Sequence, residues 1–190
     1  MKNLLVISLL ASSVALLSVS CGGPKKTTVA NQPGTEEVIL PLSGKEYQSD
    51  KEFYRATSSG KSPDISTAKK IALNNAKAEI AGLINTKIKA VTDNYTNQRS
   101  TADAQDFENK FETMTREVVN QNLVDVKIIG DKLLKTGTSY EYWIGIEVSK
   151  QAILNGINNS ISKNQKLQID YDKKKFEEVY NQEMAKMENQ

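Results

Sequence analysis

From Ile65 to Tyr95 the chain places an apolar or small side chain at every third or fourth position: Ile65, Ala68, Ala72, Ala76, Ile80, Ile84, Ile88, Val91 and Tyr95. That period is the helical one, and it predicts a helix from Pro63 to about Asn97, roughly 50 Å long. Pro63 suits the first helical position, with Ser62 as cap and Asp64 favoured by the helix dipole. Alanine at three successive turns lets the helix backbone approach its partner closely. A sheet is the partner that fits, so the rest of the chain must supply one.

Candidate strands stand on both sides of the helix. Glu52–Ser58 reads as a strand with Phe53 and Tyr54 at its start, and Ser58–Pro63 as a turn leading into the helix. Ala104, Phe107, Phe111, Met114 and Val118 mark a second helix, ending at Asn120-Gln121-Asn122. Leu123–Leu134 reads as a strand with Val124, Val126 and Ile128 inward and a bulge at Gly130-Asp131. After a turn at Thr136-Gly137 comes the clearest strand, in which Tyr140, Tyr142, Ile144, Ile146 and Val148 alternate with Glu141, Trp143, Gly145 and Glu147. Ser149 caps a third helix with Ile153, Ile157 and Ile161, and Leu167–Met187 reads as one charged amphipathic helix carrying Phe176, Tyr180 and Met184. The expected fold is α+β: a three-stranded antiparallel sheet packed on the long helix, in strand-helix-helix-strand-strand order, with additional C-terminal helices.

The start of the chain carries an address. Met1-Lys2-Asn3 is short and basic, and Leu4–Leu17 is an apolar run. A bilayer span needs ~20 helical residues, so this run is too short for one and suits a signal-peptide core. Cys21, the only cysteine, follows the small residues Ser18-Val19-Ser20. The pattern resembles a bacterial lipoprotein signal (residues 1–20) cut before Cys21, whose sulfur would carry a diacylglycerol. The usual leucine three places before the cysteine is replaced by Ser18, with Leu17 one place further back. Ser18 and Ser20 also suit ordinary signal peptidase, which would cut the same bond and leave a free thiol. Residues 21–50, rich in Gly, Pro, Thr, Ser and Gln, are expected to be a tether too poor in apolar side chains to pack. The expected domain then spans 51–150, with a helical extension over 151–190.

Composition excludes several activities. There is no histidine, which removes serine–histidine and cysteine–histidine catalysis and His-rich metal sites. Twenty-five basic and 23 acidic side chains leave a net charge of +2, an even balance that argues against nucleic-acid binding. Gly60-Lys61-Ser62 has the end of a phosphate-binding loop, but Arg55 stands where its first glycine belongs, and Pro63 lacks an amide. Asp170-Tyr171-Asp172 begins like a calcium loop and continues into Lys173-Lys174-Lys175, without the glycine or distal glutamate such a loop needs. No cofactor and no enzyme activity are expected.

Tyr54-Arg55-Ala56, Ser59-Gly60-Lys61-Ser62, Asp64, the alanine ladder, Ala78-Glu79-Ile80-Ala81 and Tyr140-Glu141-Tyr142-Trp143-Ile144 together resemble the Lpp-twenty family of bacterial outer-membrane lipoproteins, over roughly residues 50–150. The resemblance implies an outer-membrane location and carries no catalytic residues. Gly22 after the cysteine fits that location by analogy with enterobacterial sorting. The element order also resembles dodecins, small flavin-binding proteins. Trp143, on the more polar face of the best strand, is the candidate interaction residue. It is expected to meet the terminal helix, another protein (an envelope partner or a second copy), or a planar ligand. A lipid-anchored, non-enzymatic envelope protein is thus the first expectation, and a carrier of a planar or flavin-like ligand the second.

Overall fold

In the computed structural model the described residues are 38–98 and 104–186, so the signal segment, Cys21, most of the expected tether and Met187 lie outside them. A short 3-10 turn, Lys45–Tyr47, precedes strand β1 (Phe53–Ser62) and helix α1 (Ile65–Asn97). Helix α2 (Ala104–Asn122), strands β2 (Lys127–Thr136) and β3 (Ser139–Ser149), and helices α3 (Lys150–Ser162), α4 (Gln165–Asp170) and α5 (Lys173–Ala185) follow. The sheet is antiparallel with strand order β1-β3-β2. This is the expected α+β arrangement.

The alanine ladder sets the helix–sheet contact. Ala68, Ala72 and Ala76 have no exposed surface, and α1 packs chiefly on β1 and β3. Gly60 completes the fit from the strand side. A β-carbon built on it would lie 2.4 Å from the Ala68 carbonyl oxygen and 2.5 Å from the Ala72 nitrogen. A strand of ten residues spans only ~33 Å, against ~50 Å for α1. The helix therefore overhangs the sheet, and its later side chains need other cover. Helices α2 and α5 supply it: Tyr95 meets Phe107 and Phe176, and Phe111 packs on Phe176 with ring centroids 5.3 Å apart. Burying each of these side chains stabilises the fold by roughly 1.5–3 kcal/mol.

Several local expectations are corrected. Strand β1 does not stop at Ser58 but runs to Ser62, because its backbone stays paired with β3 up to Ser62 opposite Tyr140. The helix consequently starts later, with Asp64 as the cap, accepting from the Thr67 N–H at 2.7 Å. Ile65 is 41% exposed, since the first turn precedes the close approach to the strand. Leu123 belongs to the turn that closes α2 rather than opening a strand, and β2 begins only at Lys127. Val124 lies exposed in the turn before β2, and Ile128 is 44% exposed because α1 leaves the edge strand largely uncovered. The terminal helix is two helices, broken where the Asp172 carboxylate caps α5 and its N–H donates to the Tyr95 hydroxyl.

Candidate interaction surface

Side chains alternate across the sheet, so the register defines its outer face: Arg55, Thr57 and Ser59 of β1, Glu147, Gly145 and Trp143 of β3, and Lys127, Gly130 and Lys132 of β2. Trp143 lies in the middle strand between Ser59 and Lys132 and is half-buried. Its indole Nε1 is buried and has no hydrogen-bond partner among the described residues. The terminal helix does not cover it. The Tyr54 hydroxyl, on the inner face, donates to Met184 Sδ at 2.9 Å, and the Tyr180 hydroxyl donates to the Lys150 carbonyl at 2.8 Å. Helix α5 therefore packs on the α1 side of the sheet, because its apolar side chains complete the core that the α1 overhang leaves open.

Part of the outer face is covered by the segment assigned from composition to the tether. The Tyr47 ring sits where Gly130 and Gly145 leave space; a β-carbon there would come within 2.7 Å and 2.9 Å of it respectively. Next to it, Asp50 accepts from the N–H groups of Glu52 and Phe53, and Ser49 Oγ accepts from the Arg55 N–H. Residues 44–50 thus form a strap on the sheet, and the compact unit begins at Ile39 rather than after Asp50. Composition missed this because one tyrosine and a few polar groups hold the strap. Removing the ring should release it. Tyr47→Ala is expected to raise the trypsin cleavage rate at Lys45 about tenfold, a ~1.4 kcal/mol easier local opening. In the wild-type protein the first stable fragment should begin before Gly44; one beginning at Glu52 would show that the strap does not hold.

Beneath the strap lies an ion cluster. Glu147 is 6% exposed and accepts from Arg55 Nε at 2.9 Å and Lys127 Nζ at 2.8 Å, while Arg55 Nη1 reaches Asp50 at 2.6 Å. Burial pushes the Glu147 carboxyl up, but the hydrogen bonds and charges of Lys127 and Arg55 outweigh it and hold the group below its ordinary 4.5. Burial likewise raises Asp50, and the Glu52 and Phe53 amides with Arg55 bring it below its ordinary 3.8. Arg55 and Glu147 were visible only as opposite charges on two strands; their meeting depends on a register that sequence does not state.

A cavity of about 380 Å³ between α1 and α2 is lined in part by Lys89 with Asp93 and by Arg116 with Glu112, ion pairs within single helices. A second, also about 380 Å³, lies at Lys51–Phe53, Lys150, Tyr180 and Met184, where the buried Lys150 ammonium stands over the Tyr54 ring. Gly60-Lys61-Ser62 belongs to a strand and forms no phosphate loop. Among the described residues no group of three or more His, Cys, Asp or Glu could hold a metal ion, and no helix is long and apolar enough to cross a membrane. Comparison of the chain with family models, curated proteins and solved structures found no match.

Proposed function

We propose that the protein is a lipid-anchored, non-enzymatic component of a bacterial cell envelope that acts through protein contacts made by its sheet. The order of segments carries this reading: a basic start, an apolar run too short to span, a lone Cys21, and a compact unit from Ile39. Two or more acyl chains on Cys21 would hold the protein firmly, at ~0.8 kcal/mol per buried methylene. The resemblance to the Lpp-twenty family agrees with this, as does the half-exposed Trp143 on a polar-rimmed face, a residue type enriched at protein contacts. The carrier reading draws no support from the two cavities, since Trp143 lines neither.

Mass spectrometry of the mature protein should find an N-terminal Cys21 bearing a diacylglyceryl thioether. The Cys21→Ser variant should lose this mass and resist cleavage by the lipoprotein peptidase. A mature wild-type chain with an unmodified thiol would overturn the anchor.

A further inference from the structure

The two free edges of the sheet are finished differently. In an antiparallel ladder, successive residues of an edge strand direct their N–H and C=O groups alternately to the neighbour and away from it. On β1 the outward N–H and C=O of Phe53 and Arg55 and the carbonyl of Ser59 are met. Asp50 bonds the Phe53 N–H and C=O, Ser49 Oγ bonds the Arg55 N–H and C=O, and Asn75 Nδ2 donates to the Ser59 carbonyl. The even residues of β1 therefore bond even residues of β3. The odd residues of β3 must then bond β2 at Lys127, Gly130, Lys132 and Leu134. That leaves the backbone groups of Asp131, Leu133 and Lys135 pointing away from the sheet. Among the described residues nothing hydrogen-bonds them. Their side chains share the inner face at the margin α1 leaves open, and Leu133 is 42% exposed.

We propose that β2 pairs with β2 of a second copy of this chain, antiparallel about a two-fold axis at Leu133, so that two sheets become one of six strands. Charge complementarity selects the partner and the register. Residues directly opposite in such a pair lie on the same face, and like charges there are destabilising. Centring on Asp131 sets Asp against Asp; centring on Lys132 sets Lys against Lys. Centring on Leu134 opposes no charges at all. Only centring on Leu133 places Asp131 opposite the second copy's Lys135 and Lys135 opposite its Asp131, with Lys132 facing Leu134.

Lysines on an edge strand usually deter pairing. Here Lys132 and Lys135 meet no like charge in this register, so they deter other registers and not this one. The irregularity between Ile128 and Gly130 ends the pairing at Gly130. The two Leu133 side chains meet in the trough that each α1 leaves over its own β2. The pairing is isologous and closes on itself. It gives the protein-contact reading a definite partner, and its test does not depend on whether Cys21 is acylated.

The test is sedimentation equilibrium of the full chain in detergent, from about 1 to about 100 µM, a range that brackets micromolar affinity. The wild-type chain should dimerise. Asp131→Lys and Lys135→Asp should each weaken association at least tenfold, because each sets like charges opposite twice. An equimolar mixture of the two variants should associate again, since one chain then carries lysine and the other aspartate at both positions. The double variant Asp131→Lys/Lys135→Asp should dimerise alone. Rescue in the mixture excludes misfolding as the cause of the single losses. A wild-type chain that stays monomeric to 100 µM overturns the proposal, even if its β2 edge accepts a strand from a different protein. Dimers that persist in both single variants, or single variants that do not associate when mixed, overturn it equally.

Discussion

A Gly60→Ala variant is expected to melt well below the wild-type protein although it adds one methyl group. Strand propensity alone argues the opposite sign, because glycine weakens a strand interior by roughly 0.5–1 kcal/mol relative to alanine. The packing term is larger. The new carbon would stand 2.4 Å and 2.5 Å from backbone atoms of Ala68 and Ala72, which no rotamer change can move. Overpacking costs ~1–3 kcal/mol where side chains can adjust, and a contact with helix backbone belongs at the upper end. A loss of ~3 kcal/mol lowers the melting temperature of a domain this size by roughly 6–12 °C. Gly82 provides the control. It lies on the exposed side of the same helix, and a β-carbon there meets nothing within 4 Å. Gly82→Ala should raise the midpoint, with up to ~1 kcal/mol gained from helix propensity. Equal melting of the two variants would mean that α1 and β1 do not make this contact.

The second large effect is expected at the ion cluster. Arg55→Ala leaves the buried Glu147 carboxylate with Lys127 alone, and Lys127 is 74% exposed. Removing one partner of a fully buried pair costs ~3–5 kcal/mol; with Lys127 and water still in reach, ~2–3 kcal/mol is expected. The double variant Arg55→Ala/Glu147→Leu should recover much of that loss, because no buried charge is left uncompensated. Urea unfolding midpoints decide the matter, and a double variant less stable than Arg55→Ala would refute the charge argument. The pH dependence has a definite sign. Glu147 and Asp50 both titrate lower in the folded protein than in the unfolded chain, so the unfolded chain binds protons first as the solution is acidified. Their contribution is complete above the ordinary values of 4.5 and 3.8 and is lost as pH falls through the lower, folded values. The Glu147→Leu background should show a flatter acid limb between those limits.

Periodicity carried the helices and the central strand well. Ala68 to Tyr95, Phe107 to Val118, and Tyr142 to Val148 are buried on the faces their spacing indicates, because a stripe at helical or strand period has only one way to leave water. It failed where burial was not continuous. The Ser58–Ser62 segment is polar and small, and only pairing with β3 makes it a strand. Val124 and Ile128 alternate as an inward face would, yet Val124 falls in the turn before β2, and the edge strand beside a narrow helix has little to bury Ile128. The strap at Tyr47 has no pattern at all; it exists because two glycines on different strands come together under one ring.

The sequence by itself determined the long helix, its alanine face, the α+β class and the element order, since each follows from spacing within one segment. It also contains the lone Cys21 behind an apolar run, on which the proposed anchor rests. Only the tertiary structure decided that α5 joins the core instead of covering Trp143, and that Arg55, Glu147 and Asp50 meet. It alone decided that Ser49 and Asp50 bond the β1 edge at Phe53 and Arg55 while the edge at Leu133 is open. These are relations between segments far apart in the chain. Strand order and register fix them, and local residue preferences do not encode either.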